Sequence, residues 1–449
     1  MRVIAGVIAV FVVAFAAFYA WAYQSEMPPE RSSAARFDPG AIAKGAQLAA
    51  AGNCAVCHTQ PGGKPYAGGF PVETPFGVIY GSNITPDPET GIGAWPEAAF
   101  RRALRSGVDR KGNHLFPAFP YDHFTKITDN DISALYSFLM TREPVRQENR
   151  PPALMGLLNW RLSAAAWKLL FLHTGPYQPD PKQSAEWNRG AYLVEGLGHC
   201  GACHTPRNVL GAEKTSEAYG GGVGEGWHAP ALNLASPAPV HWTAEQLEAY
   251  LRQGFASQHG YAAGPMQPII RALRKLPDED VRAMATYVAS LSRGADEAQG
   301  AQRARVALDF AQQREVKLWG TATTTGAHAD GRTESDTSPG AAIFAGACAT
   351  CHHAGGTLPI SRPVALGLSS VVHAPDPTNL LHIVLDGIHP PLGSAGPMMP
   401  GFSGTLTDPQ IVALAAYVRS HFSDKPAWPG VDKTLSTLRQ KPQPRAEAP

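Results

Sequence analysis

No cysteine stands outside three short clusters, and that absence governs the reading of the chain. All six lie in Cys54-Ala55-Val56-Cys57-His58, Cys200-Gly201-Ala202-Cys203-His204 and Cys348-Ala349-Thr350-Cys351-His352. No thiol is left over as a nucleophile. The chain also lacks a glycine-rich dinucleotide fingerprint and a phosphate-binding P-loop. It has no excess of either charge, with 38 Lys+Arg against 37 Asp+Glu, so composition makes no case for nucleic acid. Past the first twenty-odd residues, hydropathy offers no second run long enough to span a bilayer.

What is present is one chemistry, three times. Two thiols three residues apart can each add to one vinyl group of a single porphyrin. The histidine that follows can bind the iron as proximal ligand. Cys-x-x-Cys-His is the attachment signature of c-type haem. The sequence therefore predicts three covalent haems c on Cys54, Cys57, Cys200, Cys203, Cys348 and Cys351, with His58, His204 and His352 on the irons. A redox disulfide or a zinc site is the competing reading. Zinc sites usually pair two Cys-x-x-Cys units at short range, and these lie far apart.

Val3 to Ala22 is an unbroken apolar run after Met1-Arg2. As a helix it can cross ~30 Å of hydrocarbon. Arg2 favours a cytoplasmic N-terminus and a periplasmic remainder, which suits haem c. Ala20-Trp21-Ala22 would also fit a cleaved signal peptide. The length of the run and the aromatic cluster Phe18, Tyr19, Trp21 and Tyr23 favour a retained anchor at the inner membrane.

Each attachment motif opens a repeat with the same order of parts. A short helical pattern leads in. Gly/Pro-rich loops follow, with Asn83, Asn233 and Asn379 in matching places. A second helix ends at Gly107, Gly254 and Gly387. The last helix starts at Thr128, Pro277 and Thr407, with capping-box spacing at Thr128/Asp131 and Thr407/Gln410. Tyr136, Tyr287 and Tyr417 align in it and are expected to pack on the first helix of their own repeat. This is the helix order of a class I cytochrome c domain. The fold expected is mainly α: three such domains in series after an N-terminal transmembrane helix. The divisions are 1–23 anchor, 37–142 domain 1, 143–186 inter-domain segment, 187–293 domain 2, 294–340 helix and flexible linker, 341–424 domain 3, and 425–449 polar Pro-rich tail, partly disordered. The apolar, aromatic 143–186 segment is expected to pack between domains, with a membrane surface as the alternative.

A second axial ligand is expected on each iron. Met266, in Gly264-Pro265-Met266, and Met399, in Gly396-Pro397-Met398-Met399-Pro400, lie in Gly/Pro loops just before the last helix. Met399 is preferred to Met398 because Pro400 holds the chain extended. Domain 1 departs from this pattern. Its slot holds Phe119, which cannot bind iron. His123 is the favoured donor, His114 the next, and a five-coordinate iron the third reading. Asn83-Ile84-Thr85 matches a glycosylation sequon, read as coincidence. The remaining scattered histidines are read as surface or local structure.

These residues resemble the three-haem cytochrome c subunits of membrane-bound bacterial dehydrogenases. The resemblance runs from about Phe37 to Phe422. It is strongest in Gly52 to Thr59, Thr74 to Tyr80, Ser82 to Asp87, and Ala185 to Val194 through Asn208. The variant Pro117-Ala118-Phe119-Pro120-Tyr121-Asp122-His123-Phe124 looks like the cytochromes that partner molybdenum hydroxylases oxidising aldehydes or N-heterocycles. The resemblance implies catalytic partner subunits carrying molybdopterin and iron–sulfur centres, and ubiquinone or another respiratory acceptor. A cytochrome subunit of a quinoprotein alcohol or flavin-dependent sugar or gluconate dehydrogenase is the alternative. Two further readings are a haem enzyme using an open site on the first iron and a general respiratory carrier without a fixed dehydrogenase partner. The chain by itself is expected to be a non-catalytic electron-transfer subunit.

Overall fold

The structure is a computed structural model. It describes residues 2–30, 37–292, 297–315, 338–353, 365–389 and 398–440. The expected flexible linker lies almost wholly outside these residues. By contacts the chain divides into two compact bodies. One comprises Met1–Ala202, Val209–Ala212 and Lys275–Asp280; the other comprises Cys203–Asn208, Glu213–Arg274 and Val281–Pro449.

The chain is mainly helical, as expected. α1 (Arg2–Ala22) precedes the first repeat, which holds α2 (Pro39–Ala51), α3 (Cys54–Cys57), the hairpin β1 (Pro71–Thr74) and β2 (Gly77–Tyr80), α4 (Glu97–Ser106), α5 (Tyr121–Phe124) and α6 (Asp129–Met140). The inter-domain segment supplies β3 (Ala153–Leu154), which pairs antiparallel with β2, and α7 (Arg161–Phe171). The second repeat holds α8 (Ala185–Glu195), α9 (Gly201–His204), the hairpin β4 (Gly222–Gly224) and β5 (Trp227–Ala229), α10 (Ala244–Gln253), β6 (Phe255–Ala256), β7 (Gly260–Tyr261), α11 (Met266–Leu273) and α12 (Asp278–Leu291). After α13 (Glu297–Gln313), the third repeat holds α14 (Pro339–Ala347), α15 (Ser370–His373), α16 (Thr378–Asp386), α17 (Asp408–Phe422) and α18 (Val431–Gln440).

Caps and close backbone approach explain the first and last helices of a repeat. Asp38 accepts from the Ala41 N–H at 2.9 Å and Pro39 fills the first helical position, so α2 starts there. Thr128 caps α6 by accepting from the Asp131 N–H at 3.3 Å. The Asp131 side chain faces Lys44 and the Tyr192 hydroxyl, each at 2.5 Å. At Thr407 and Gln410 both halves of the capping box form. A Cβ on Gly45 would lie 2.0 Å from the Ala134 carbonyl oxygen and 2.7 Å from Phe138 Cβ. A Cβ on Gly340 would lie 2.2 Å from the Ala413 oxygen and 2.7 Å from Tyr417 Cβ. Glycine is what lets the paired helices touch in both repeats.

The same contacts correct the alignment of tyrosines. Phe138, not Tyr136, stands where Tyr417 stands. Tyr417 packs on Phe344 of α14 as expected, with ring centroids 5.4 Å apart. Tyr136 turns instead to Phe37 and Phe100, and its hydroxyl donates to the Trp95 carbonyl at 2.6 Å. The tail also contributes a helix that the sequence reading did not include. α18 buries Val431, Leu435 and Leu438 in the core of the third repeat beside Ile411, Leu414 and Trp428. Each such side chain is worth about 1.5–3 kcal/mol when fully buried, enough to fix a short helix.

α7 packs on domain 1. Arg161 lies 4.7 Å over the Phe116 ring and donates to the His114 carbonyl at 3.2 Å. Trp167 meets Tyr121 edge to face. The Lys168 ammonium is buried and donates to the carbonyls of Ser106 and Gly107, at 2.8 and 2.9 Å, closing the C-terminal end of α4. Burial brings its pKa down to about 7. The unfolded chain holds that proton to roughly pH 10.4, so between about pH 7 and pH 10 the unfolded state binds more protons. The contribution of Lys168 to stability therefore rises with pH across that window and is lost as pH falls through 7. Lys168→Met should flatten this dependence. Thermal unfolding of wild type and variant at pH 6.5 and pH 9.5 checks it: the difference between them must change with pH.

Candidate haem sites

A single helical turn brings two cysteines at i and i+3 to one face and sets the histidine just beyond them. α3 and α9 are such turns. Asn53 and His199, immediately before Cys54 and Cys200, both take left-handed backbone at φ 49° and 34°. In the third motif the His352 N–H bonds the Cys348 carbonyl at 2.9 Å, matching His58 to Cys54 at 3.1 Å. None of the six cysteines is joined in a disulfide. Burial raises the Cys54 thiol to about 12 and the Cys348 thiol to about 11.

The three histidines share an electrostatic setting. Burial pulls the pKa of His58, His204 and His352 below the ordinary value, so each imidazole is neutral at pH 7. His58 Nδ1 is 2.6 Å from the Ser82 carbonyl and His204 Nδ1 is 2.7 Å from the Pro230 carbonyl. A proton held on Nδ1 by a carbonyl leaves the Nε2 lone pair for a metal. Nδ1 of His352 is buried with no partner among the described residues. Paired thiols and an oriented neutral imidazole are a donor set that fits haem c.

The loops behind the first two motifs repeat almost bond for bond. The Gly68 and Gly221 N–H groups donate to the His58 and His204 carbonyls, both at 2.8 Å. Tyr66 and Tyr219, with positive φ, donate their N–H groups to Thr59 and Thr205 Oγ1, both at 3.1 Å. A Cβ on Gly81 would lie 1.7 Å from the Cys57 carbonyl oxygen, and one on Gly222 would lie 2.4 Å from that of Cys203. Each motif is thus pressed against the hairpin that follows it. Sequence reasoning missed these hairpins. Their signal was the turn residues in Thr74-Pro75-Phe76-Gly77 and Gly224-Glu225-Gly226-Trp227.

This register also shifts the asparagines. The N–H groups of Ile84 and Leu232 donate to the carbonyls of Tyr66 and Tyr219, which aligns Asn83 with Ala231 rather than Asn233. Asn83 is buried, and its amide donates to Thr90 Oγ1 at 3.0 Å and the Val145 carbonyl at 2.8 Å. A buried, bonded amide is no glycan acceptor.

Val108 bridges His114, and Phe255 pairs with Tyr261. Phe119 and Met266 each lie five residues beyond those partners, so the backbone register sets Phe119 where Met266 stands. Met266 is the first residue of α11 rather than part of a loop. Met399 pairs with Ile388 through both backbone bonds, at 3.0 and 2.8 Å. It is half-buried, whereas Met398 is exposed. His123 lies in α5, buried, with Nδ1 2.9 Å from the Glu195 carbonyl and its ring 6.4 Å from that of His199. Lys126 pairs with the Glu195 carboxylate at 2.8 Å. The loop beyond Phe119 therefore rests on the segment leading into the second motif. His114 Nε2 is 2.7 Å from the Ala22 carbonyl, and its buried Nδ1 has no partner among the described residues.

The cytochrome c family model matches residues 42–143 and 188–292, and the model of cytochrome c oxidase, cbb3-type, subunit III matches 335–418. The gluconate 2-dehydrogenase cytochrome c subunit of Pantoea cypripedii is 34% identical over 417 residues, covering 89% of each chain. This chain belongs to the multihaem cytochrome c subunits of dehydrogenase complexes, and its work is electron transfer. The fructose dehydrogenase cytochrome subunit of Gluconobacter japonicus is also 34% identical, over 90% of this chain and 84% of that protein. A nicotinate dehydrogenase subunit of Pseudomonas putida is 46% identical over 404 residues. The alignment covers 89% of this cytochrome but only 32% of that protein, about a third of its length.

Proposed function

We propose that this cytochrome carries three haems c, takes electrons from a periplasmic dehydrogenase that is molybdenum-dependent, and delivers them to ubiquinone or another respiratory acceptor. Bound haem supplies one-electron storage. The chain supplies attachment through Cys54, Cys57, Cys200, Cys203, Cys348 and Cys351, proximal ligation by His58, His204 and His352, and second ligands from His123, Met266 and Met399. The donor sets at the three motifs carry this reading. The molybdenum partner is supported by the 46% identity to a nicotinate dehydrogenase subunit, set against 34% for gluconate and fructose dehydrogenase subunits, together with the Phe119 variant of the slot. A second reading for the first iron has one observation in its favour, the buried Nδ1 of His114, which has no partner among the described residues.

Anchoring is part of the proposal. α1 exposes Val3, Val10, Phe11 and Val13 along its length and Tyr19, Trp21 and Tyr23 at its end, an apolar span closed by an aromatic belt. Cleavage after Ala22 would cut at the carbonyl that buried His114 bonds. Met155, Leu157, Trp160, Leu169 and Leu170 are also exposed, on the segment that reaches the same His114 through Arg161. We read them as lying against the same membrane face.

Purification from detergent-solubilised membranes tests both parts. The cytochrome should emerge with dehydrogenase subunits, and substrate of that dehydrogenase should reduce its haems. Mature protein should begin before Tyr23. Recovery of the cytochrome alone, or a mature N-terminus at Tyr23 or later, would count against the partner and the anchor respectively.

A further inference from the structure

We infer that the tip of the β4–β5 hairpin is a clamp that holds the third haem domain against the second at a fixed spacing. The clamp rests on the second and third motifs being haem sites.

The hairpin is built onto the second site. Beside the Gly222 contact with the Cys203 carbonyl, a Cβ on Gly224 would lie 3.1 Å from Cys203 Sγ. Its tip is the two-residue turn Glu225-Gly226, both with positive φ at 50° and 81°. That conformation suits the strand twist of a tight hairpin and makes the tip rigid. Trp227, first out of the turn, is packed against Gly264: a Cβ there would fall 2.4 to 2.7 Å from the indole. Gly264 stands two residues before Met266, so Trp227 lies beside both the attachment side and the axial-ligand side of this site.

The far side of the tip belongs to α16 in the third repeat. Trp227 stacks on His382 with ring centroids 4.5 Å apart and planes 10° from parallel. His382 is 5% exposed. The Asn379 amide takes the His228 backbone at both ends: its oxygen accepts the N–H at 2.9 Å and its nitrogen donates to the carbonyl at 2.7 Å. A side chain here imitates a neighbouring strand and satisfies both edge groups of β5 at once. α16 in turn ends against the third axial-ligand strand, since a Cβ on Gly387 would lie 2.2 Å from the Met399 carbonyl oxygen. A continuous set of packed groups thus runs from Cys203 and Gly264 to Met399. Stacking and paired hydrogen bonds are individually modest. Within one chain nothing stronger is needed, because the tether supplies a high effective concentration.

The first hairpin makes a parallel contact. Its tip residue Phe76 lies 3.0 Å from where a Gly211 Cβ would stand, just past the second motif. In both repeats the hairpin pressed on one motif reaches toward the next repeat.

Pulsed electron paramagnetic resonance between the ferric second and third haems of the full-length cytochrome tests the clamp. Haem content is measured first; fewer than three haems would overturn the haem reading and not the clamp. With three present, wild type should give one narrow distance distribution. Asn379→Ala combined with Trp227→Ala should lose it. Trp227→Phe, which keeps a ring, should retain it, and Gly264→Ala, which evicts the indole, should broaden it. A broad distribution in wild type, or a narrow one in the double variant, overturns the proposal. Should the double variant lose haem, Asn379→Ala alone gives the same decision.

Discussion

Fully matured cytochrome is expected to weigh three haems more than its polypeptide, and to keep all three through acid extraction. Thioether bonds survive denaturation, whereas a haem held only by axial ligands leaves with the fold. Replacing both cysteines of one motif by serine should remove one haem and leave two. Mass spectrometry of the denatured chain reads the count directly. The three losses should not be equivalent in their consequences. The second motif is pressed by Gly222 and Gly224 against its hairpin, and that hairpin carries the contacts to α16. Cys200→Ser with Cys203→Ser should therefore disturb the third repeat as well, through the clamp. The same change at Cys348 and Cys351 should leave the first two haems as they are. A mature protein with fewer than three haems would overturn the assignment of the third motif first, since the Nδ1 of His352, unlike that of His58 or His204, meets no carbonyl among the described residues.

The parts of this molecule legible in its sequence are those fixed by local chemistry. Attachment needs two thiols and an imidazole within five residues, so no long-range fact is required to propose them. The caps at Thr128 and Thr407 are likewise written within four residues. The glycine stops at Gly107 and Gly254 also follow from one residue's freedom, for both take positive φ, 60° and 76°. Register was less legible. Matching the repeats on their last helices put Tyr136 with Tyr417, but the Gly45 and Gly340 contacts that decide the matter lie on another helix. Asn83 and Asn233 were misaligned for the same reason: loops of unequal length separate them from their motifs. In the tail, Val431, Leu435 and Leu438 had helical spacing in plain view. The hairpin contacts were invisible because Trp227 and His382 are far apart in the chain and neither belongs to a motif.

The first haem is expected to differ from the other two, and His123→Ala is the substitution that exposes the difference. Phe119 stands in the register of Met266, so on the proposed ligand set sulfur ligation is closed to this iron. With His123 as second ligand the iron has two imidazoles. Loss of the thioether lowers its potential relative to the Met266 and Met399 sites, with burial and nearby charge as further influences. The Glu195 carbonyl accepts from His123 Nδ1, which places a ring proton on that nitrogen. His123→Ala should therefore produce one high-spin ferric haem, and its reduced form should bind carbon monoxide. The neighbourhood of His199 makes a second arm necessary, because a ligand lost from the second haem would look the same. Repeating His123→Ala in a chain lacking Cys54 and Cys57 separates the two. Loss of the new signal there assigns His123 to the first haem; its persistence assigns it to the second. An unchanged low-spin spectrum in His123→Ala, with a high-spin haem in His114→Ala, would transfer the role to His114. The potential gives an independent reading. If His123 is the ligand, a low-potential wave in the titration of wild type should vanish or shift in the variant, while the two methionine-ligated waves stay in place.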